Sequence, residues 1–240
     1  MNFKSILLAL ALLPALPAAA QQPSADAILE GSRMSAALVK LDKGLTGKIQ
    51  MGRKKVPLTL FLMGKDIQFQ YTDGKTPKIF HLRMNDQTFN LYEQVNGKMV
   101  KFPSSKISAP VAGTDLTYED LSMRFLYWPN AKHEGVEKVG GQDCYKIRVD
   151  RPRGTPGAYE VVYVWVHQKY GAFMRIRGHD KAGKMIKEFQ VEDVMKIDND
   201  LWTLRKMQVA THDPKSGRRK SITEVTMDTN RRSAGPRGLR

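Results

Sequence analysis

Residues 159–194 constrain the fold more than any other part of this chain. They read YEVVYVWVHQKYGAFMRIRGHDKAGKMIKEFQVEDV, runs rich in β-branched and aromatic residues parted by Gln168-Lys169-Tyr170-Gly171 and Asp180-Lys181-Ala182-Gly183. Those partings carry the glycine and aspartate that tight turns use. The run from Val161 to Val166 is apolar on both alternating faces, so the strand it forms is covered on both sides or lines an apolar interior. The stretch is a long-stranded β-meander.

The same patterning recurs upstream and downstream. Strands are expected over residues 45–51, 57–63, 66–71, 77–84, 88–93 and 99–102, with Asn96-Gly97 as a hairpin turn, then over 144–149, 201–211 and 220–227. Close spacing and short turns argue for an antiparallel sheet rather than βαβ units. About a dozen strands are too many for a flat open layer, so a barrel or half-barrel is expected. Two helices accompany them. Ser24 and Asp26 suit the start of the first, whose apolar stripe is expected through Ala27, Gly31, Met34, Leu38 and Leu41 to an end near Gly44. Thr117 and Asp120 form a capping box for the second, which places Tyr118, Leu121, Phe125 and Trp128 on one face until Pro129 stops it. An aromatic helix between sheet segments covers the open side of a curved sheet or packs as ordinary core.

Residues 1–20 combine Lys4, a short apolar run and Ala18-Ala19-Ala20, the pattern of a cleavable secretory signal peptide. No cysteine follows for a lipid anchor, and no later stretch is apolar enough to cross a bilayer. A protein soluble outside the cytoplasm is expected, with one domain over residues 21–228 and a flexible basic tail over 229–240. The one cysteine, Cys144, excludes an internal disulfide. The net charge of +15 suits anionic lipid headgroups better than nucleic acid in an exported protein, or simply keeps the chain soluble.

Chemistry is sparse. The five histidines pair with no second ligand at metal spacing, and no HExxH, CxxC, GxSxG or phosphate loop is present. Glu119-Asp120 and Glu192-Asp193 read as capping and solvated acids. No catalytic residue, metal or cofactor is expected, and the chain reads as a non-enzyme. Its surplus is apolar instead, with many aromatic and methionine side chains that either fill a closed core or wall a pocket for irregular apolar ligands.

Several segments carry a family resemblance. Gly113-Thr114-Asp115-Leu116-Thr117-Tyr118-Glu119-Asp120-Leu121 resembles a motif of the LolA-like outer-membrane lipoprotein-sorting proteins, in the branch often found with RND-type exporters. Gly141-Gln142-Asp143-Cys144-Tyr145, Val164-Trp165-Val166, the Asp180 to Lys187 turn and the Trp202 to Met207 strand are similar to the same branch. The resemblance implies a mainly β, curved, unclosed antiparallel half-barrel with helices over its open side and a cavity for acyl chains. Its walls would be Phe61, then Ile67, Phe69 and Tyr71 on one strand, Leu121, Phe125 and Trp128 on the aromatic helix, Tyr163 and Trp165, Met174 and Ile176, and Trp202. Arg175, Arg177 and Lys187 would form a basic rim meeting a headgroup. The function implied is a periplasmic carrier of lipid or lipoprotein acyl chains toward the outer membrane. Its implied partners are an inner-membrane RND-type exporter and an outer-membrane acceptor, with peripheral membrane contact and no nucleic acid. The alternative is a non-carrier envelope interaction module, a stress sensor or exporter accessory, on the same fold.

Overall fold

The computed structural model describes residues 22–37, 41–84, 89–198 and 201–228. The signal peptide and the basic tail expected from the sequence lie outside these residues.

Helix α1 (Ala25–Ala37) starts where Ser24 caps it, its Oγ accepting the Ala27 N–H at 3.2 Å. The face it buries is Ala25, Ile28, Leu29 and Ser32, a helical set rotated away from the expected stripe, since Ala27 and Gly31 are exposed. Leu41, expected on that stripe, instead opens the first strand and pairs with Leu62.

One thirteen-stranded antiparallel sheet follows, built from two meanders. The first comprises β1 (Leu41–Met51), β2 (Lys54–Met63), β3 (Asp66–Asp73), β4 (Thr76–Met84), β5 (Phe89–Val95) and β6 (Lys98–Lys101). The second comprises β7 (Lys132–Val139), β8 (Gln142–Asp150), β9 (Val161–His167), β10 (Phe173–His179), β11 (Met185–Asp198), β12 (Leu201–His212) and β13 (Arg219–Met227). Asn96 and Gly97 both take positive φ, 49° and 79°, as a two-residue hairpin turn requires. The meanders join where β1 pairs with β13, and β6 and β7 are left as free edges. The sheet is therefore a curved half-barrel, not a closed barrel. Gly47 makes the join possible: opposite Met227, a Cβ there would sit 2.3 Å from the Thr226 carbonyl oxygen.

Strand β7 is absent from the sequence-based expectation. Its KHEGVEKV buries only Val139, and Gly135 (φ 114°) interrupts its register between His133 and Val136. A lysine-rich, kinked edge strand shields itself from further pairing and so carries no alternating apolar signal.

Residues 102–131 connect β6 to β7 across one face of the sheet, called the inner face below. They form short 3-10 turns and a five-residue helix, α2 (Tyr118–Ser122). The expected capping box closes it: the Asp120 N–H donates to Thr117 Oγ1 at 3.2 Å, and the Thr117 N–H to Asp120 Oδ2 at 2.8 Å. The helix expected to run on to Pro129 ends at Met123 instead. There the backbone turns left-handed (φ 44°), Ser122 Oγ bonds back to the Glu119 carbonyl, and a 3-10 turn, Arg124–Tyr127, follows. The connector's Phe102, Ile107, Val111, Leu116, Phe125 and Trp128 share one buried cluster with inner-face strand residues, among them Leu58, Phe80, Val164, Phe189 and Val209. Helix α1 packs beside the connector, Arg33 donating to the Leu126 carbonyl at 2.6 Å.

Candidate functional site

The site is the interior between the inner face and the connector. Antiparallel register fixes which side chains reach it, because paired residues share a face and faces alternate along a strand. Leu60, Phe69 and Phe80 pair in series across β2–β4, as do Ile147, Val164 and Ile176 across β8–β10, and all belong to the inner cluster. The connector fills this surface with rings. Phe80 lies 5.1 Å from Phe102 and 5.0 Å from Tyr118. Phe125, with no exposed surface, lies 6.0 Å from Tyr159 and 6.4 Å from Phe189.

Of the residues expected on the cavity wall, the structure gathers Ile67, Phe69, Tyr71, Leu121, Phe125, Trp128 and Ile176 at this interior. The others lie elsewhere. Phe61 points to the opposite, outer face with Gln68 and His81, its partners across the sheet. Trp165 and Tyr163 also face outward, where Met174 packs with them against Val139 and Cys144. Trp165 Nε1 donates to Glu137 at 2.9 Å, and Lys146 and Arg177 lie over its ring at 5.4 and 5.3 Å. The run from Val161 to Val166 is apolar on both faces, so its composition conceals that the small valines turn inward, under the connector's rings, and the large aromatics outward. Trp202 is 59% exposed near the end of the long β11–β12 hairpin. The basic rim divides likewise. Arg175 and Arg177 sit on the outer face against Gln190 and Glu188, whereas Lys187 is buried on the inner side.

Lys187 belongs to a polar lock that the sequence did not disclose. Its Nζ donates to the Asp115 carbonyl at 2.6 Å and to Thr211 Oγ1 at 3.0 Å, and lies 3.5 Å from Asp120 Oδ2. The other Asp120 oxygen accepts the Tyr159 hydroxyl. Burial first, and then the Asp120 carboxylate, push the Tyr159 phenol well above its usual range, so it stays a donor. The Tyr159 ring rests on Gly178, where a Cβ would come within 2.4 Å of it. Glu119 is buried beside Asp120 and accepts the Ala158 N–H at 2.7 Å. The two acids expected as solvated capping groups are thus both interior, and the GTDLTYEDL motif is the segment that clamps the connector to β11, β12 and the 151–160 loop. A cleft of about 320 Å³ opens at this seam, lined by Ser108, Thr117, Glu119, Tyr159, Lys187 and His212 among others.

Among the described residues no cluster of His, Cys, Asp and Glu could hold a metal ion. Cys144 is buried in the outer cluster, and burial raises its thiol above the ordinary range.

An open antiparallel half-barrel roofed by a connector and a helix is a LolA-like fold, and solved structures share it. A DUF1329 family protein from Desulfovibrio piger superposes with a TM-score of 0.64 at 20% identity, covering 90% of this chain and 95% of that one. A protein domain from Vibrio parahaemolyticus, described as outer membrane lipoprotein-sorting, gives 0.64 at 17% identity over 83% and 89%. A LolA superfamily protein from Nitrosomonas europaea gives 0.60 at 12% identity over 86% and 92%. No curated protein matches the chain. A family model described as an uncharacterized protein matches residues 77–233, more than half of the sequence, and the chain belongs to that family.

Proposed function

We propose that the protein is a periplasmic carrier that holds acyl chains of lipids or lipoproteins between the inner face and the connector, for transfer toward the outer membrane. One observation carries the proposal. A largely apolar sheet face is roofed by a connector with little regular structure of its own, held by its buried apolar side chains and a few buried polar contacts rather than by strand pairing. Such a roof can lift without breaking the sheet. Each methylene then buried contributes about 0.8 kcal/mol, so a partly enclosed chain is held firmly. The lipoprotein-sorting description of the Vibrio domain, the apparent signal peptide and the basic charge agree with this role. An inner-membrane exporter of the RND type and an outer-membrane acceptor are the partners proposed, and catalysis forms no part of the role.

A second reading has its own support. Phe80, Phe125 and Phe189 already fill the space beneath the connector, as suits an envelope interaction module that binds a protein segment and no lipid. Organic extraction and mass spectrometry of protein purified gently from the periplasm, with refolded protein as control, separates the two. A defined acylated species near one per chain, absent from the control, supports the carrier. No lipid, together with no uptake of a fluorescent fatty acid, refutes it in favour of the module.

A further inference from the structure

Asp120, Tyr159 and Lys187 of the lock satisfy one another, but Arg124 stands apart. It follows the left-handed Met123 and precedes the wholly buried Phe125 at the start of the 124–127 turn. Its Nε and Nη2 are both shielded from solvent and both lack a hydrogen-bond partner. Those two nitrogens form the side-on edge with which a guanidinium grips a carboxylate or phosphate through parallel hydrogen bonds. The Trp128 indole N–H, four residues on in the same turn, is also buried and unpartnered, as is Glu119 Oε1.

The charged neighbours of Arg124 are engaged elsewhere. Arg124 forms no ion pair among the described residues, although it senses Glu119 and Arg151. Arg151 is already held by Glu160 and by the Gly157 carbonyl. Glu119 gives one carboxylate oxygen to the Ala158 N–H, and burial pushes its carboxyl above the ordinary range. Shielded guanidinium nitrogens without acceptors are costly, and a ligand that brings two acceptor oxygens to this half-buried side chain removes that cost.

We infer that Arg124 anchors the acidic end, a carboxylate or phosphate, of an acyl ligand whose hydrocarbon chain lies under the connector beside Phe125. This rests on the acyl-binding reading and adds the class of headgroup to it. The test uses the full chain, stripped of lipid by refolding, titrated with palmitate, 1-palmitoyl lysophosphatidate and methyl palmitate. The wild type is expected to bind the acids about ten-fold more tightly than the neutral ester, the gain of one charge-assisted contact. A preference for lysophosphatidate or for palmitate identifies phosphate or carboxylate as the head. Arg124→Met removes the preference, keeps affinity for the ester and raises the ligand-free Tm, because two shielded donors without acceptors are gone. Arg124→Lys, lacking the two-nitrogen edge, retains only part of the preference. Equal binding of acid and ester by the wild type, or an unchanged preference in Arg124→Met, overturns the inference while acyl binding stands. Failure of all three ligands to bind overturns both.

Discussion

Tyr159→Phe removes one oxygen from the lock and leaves the ring on Gly178. The lost hydrogen bond runs from a buried phenol to a buried carboxylate. Contacts to charged acceptors of this kind contribute about 2 kcal/mol. Asp120 keeps the Thr117 N–H at 2.8 Å and the Lys187 ammonium at 3.5 Å, so its charge is not stranded and the loss stays near that figure. In a chain of this size, Tm is expected to fall by about 4–8 °C. The distribution of the loss is more informative than its total. Since the bond joins α2 to the segment leading into β9, amide exchange should speed up in 115–128 and 157–160, while β2–β4 stay as protected as in the wild type. On the carrier reading, uptake of a fluorescent fatty acid also becomes faster. An unchanged Tm, or exchange quickened equally across the whole sheet, would refute the idea that this hydroxyl fastens the connector.

Further expectations follow from other contacts. Gly178→Ala sets a methyl against the Tyr159 ring and should destabilise by about 1–3 kcal/mol, an effect that disappears in a Tyr159→Ala background; equal losses in both backgrounds exclude the contact as its cause. Glu119 has its folded-state pKa raised by burial, so its contribution is present at low pH and lost as pH rises through that value; Glu119→Gln should therefore gain Tm at pH 7 relative to pH 4, measured by calorimetry at both. His81 and His179 are depressed by burial, so stability falls as pH drops below about 6.5, and His81→Gln should flatten that slope in a Tm–pH series. On the carrier reading, Trp165→Phe should leave acyl uptake unchanged because Trp165 is on the outer face, whereas Phe125→Glu should abolish it in protein whose circular dichroism still reports the sheet.

Fold and site differed in how far residue order revealed them. Alternation along β3 and the Asn96-Gly97 turn disclosed strands because a half-buried sheet imposes period two on its own sequence. Strand β7 stayed hidden because a free edge is bound by no such rule. The capping box was legible from four residues, yet the helix behind it broke at Met123, a left-handed position that no local propensity announces. The lock lay beyond reach for a different reason. Asp120, Tyr159 and Lys187 are far apart in sequence, and only the crossing of the connector over the sheet brings them together. Orientation was the least legible property. Where both faces of β9 are apolar, the choice between inward valines and inward aromatics is made by the partners, and those belong to other strands.

The pairing of β1 with β13 has a consequence for how the molecule assembles. Each meander is made of neighbours in sequence and can form as its hairpins close, but the seam between Gly47 and Met227 lies mid-sheet and links the first strand to the last. Contacts of such long sequence separation form late, because their loop entropy is offset only when most of the structure is in place. Until β13 docks, the first meander has its β1 edge bare, an interval in which a sticky, unpaired strand is open to other chains. The centre of the finished sheet is thus the last part of it to be built.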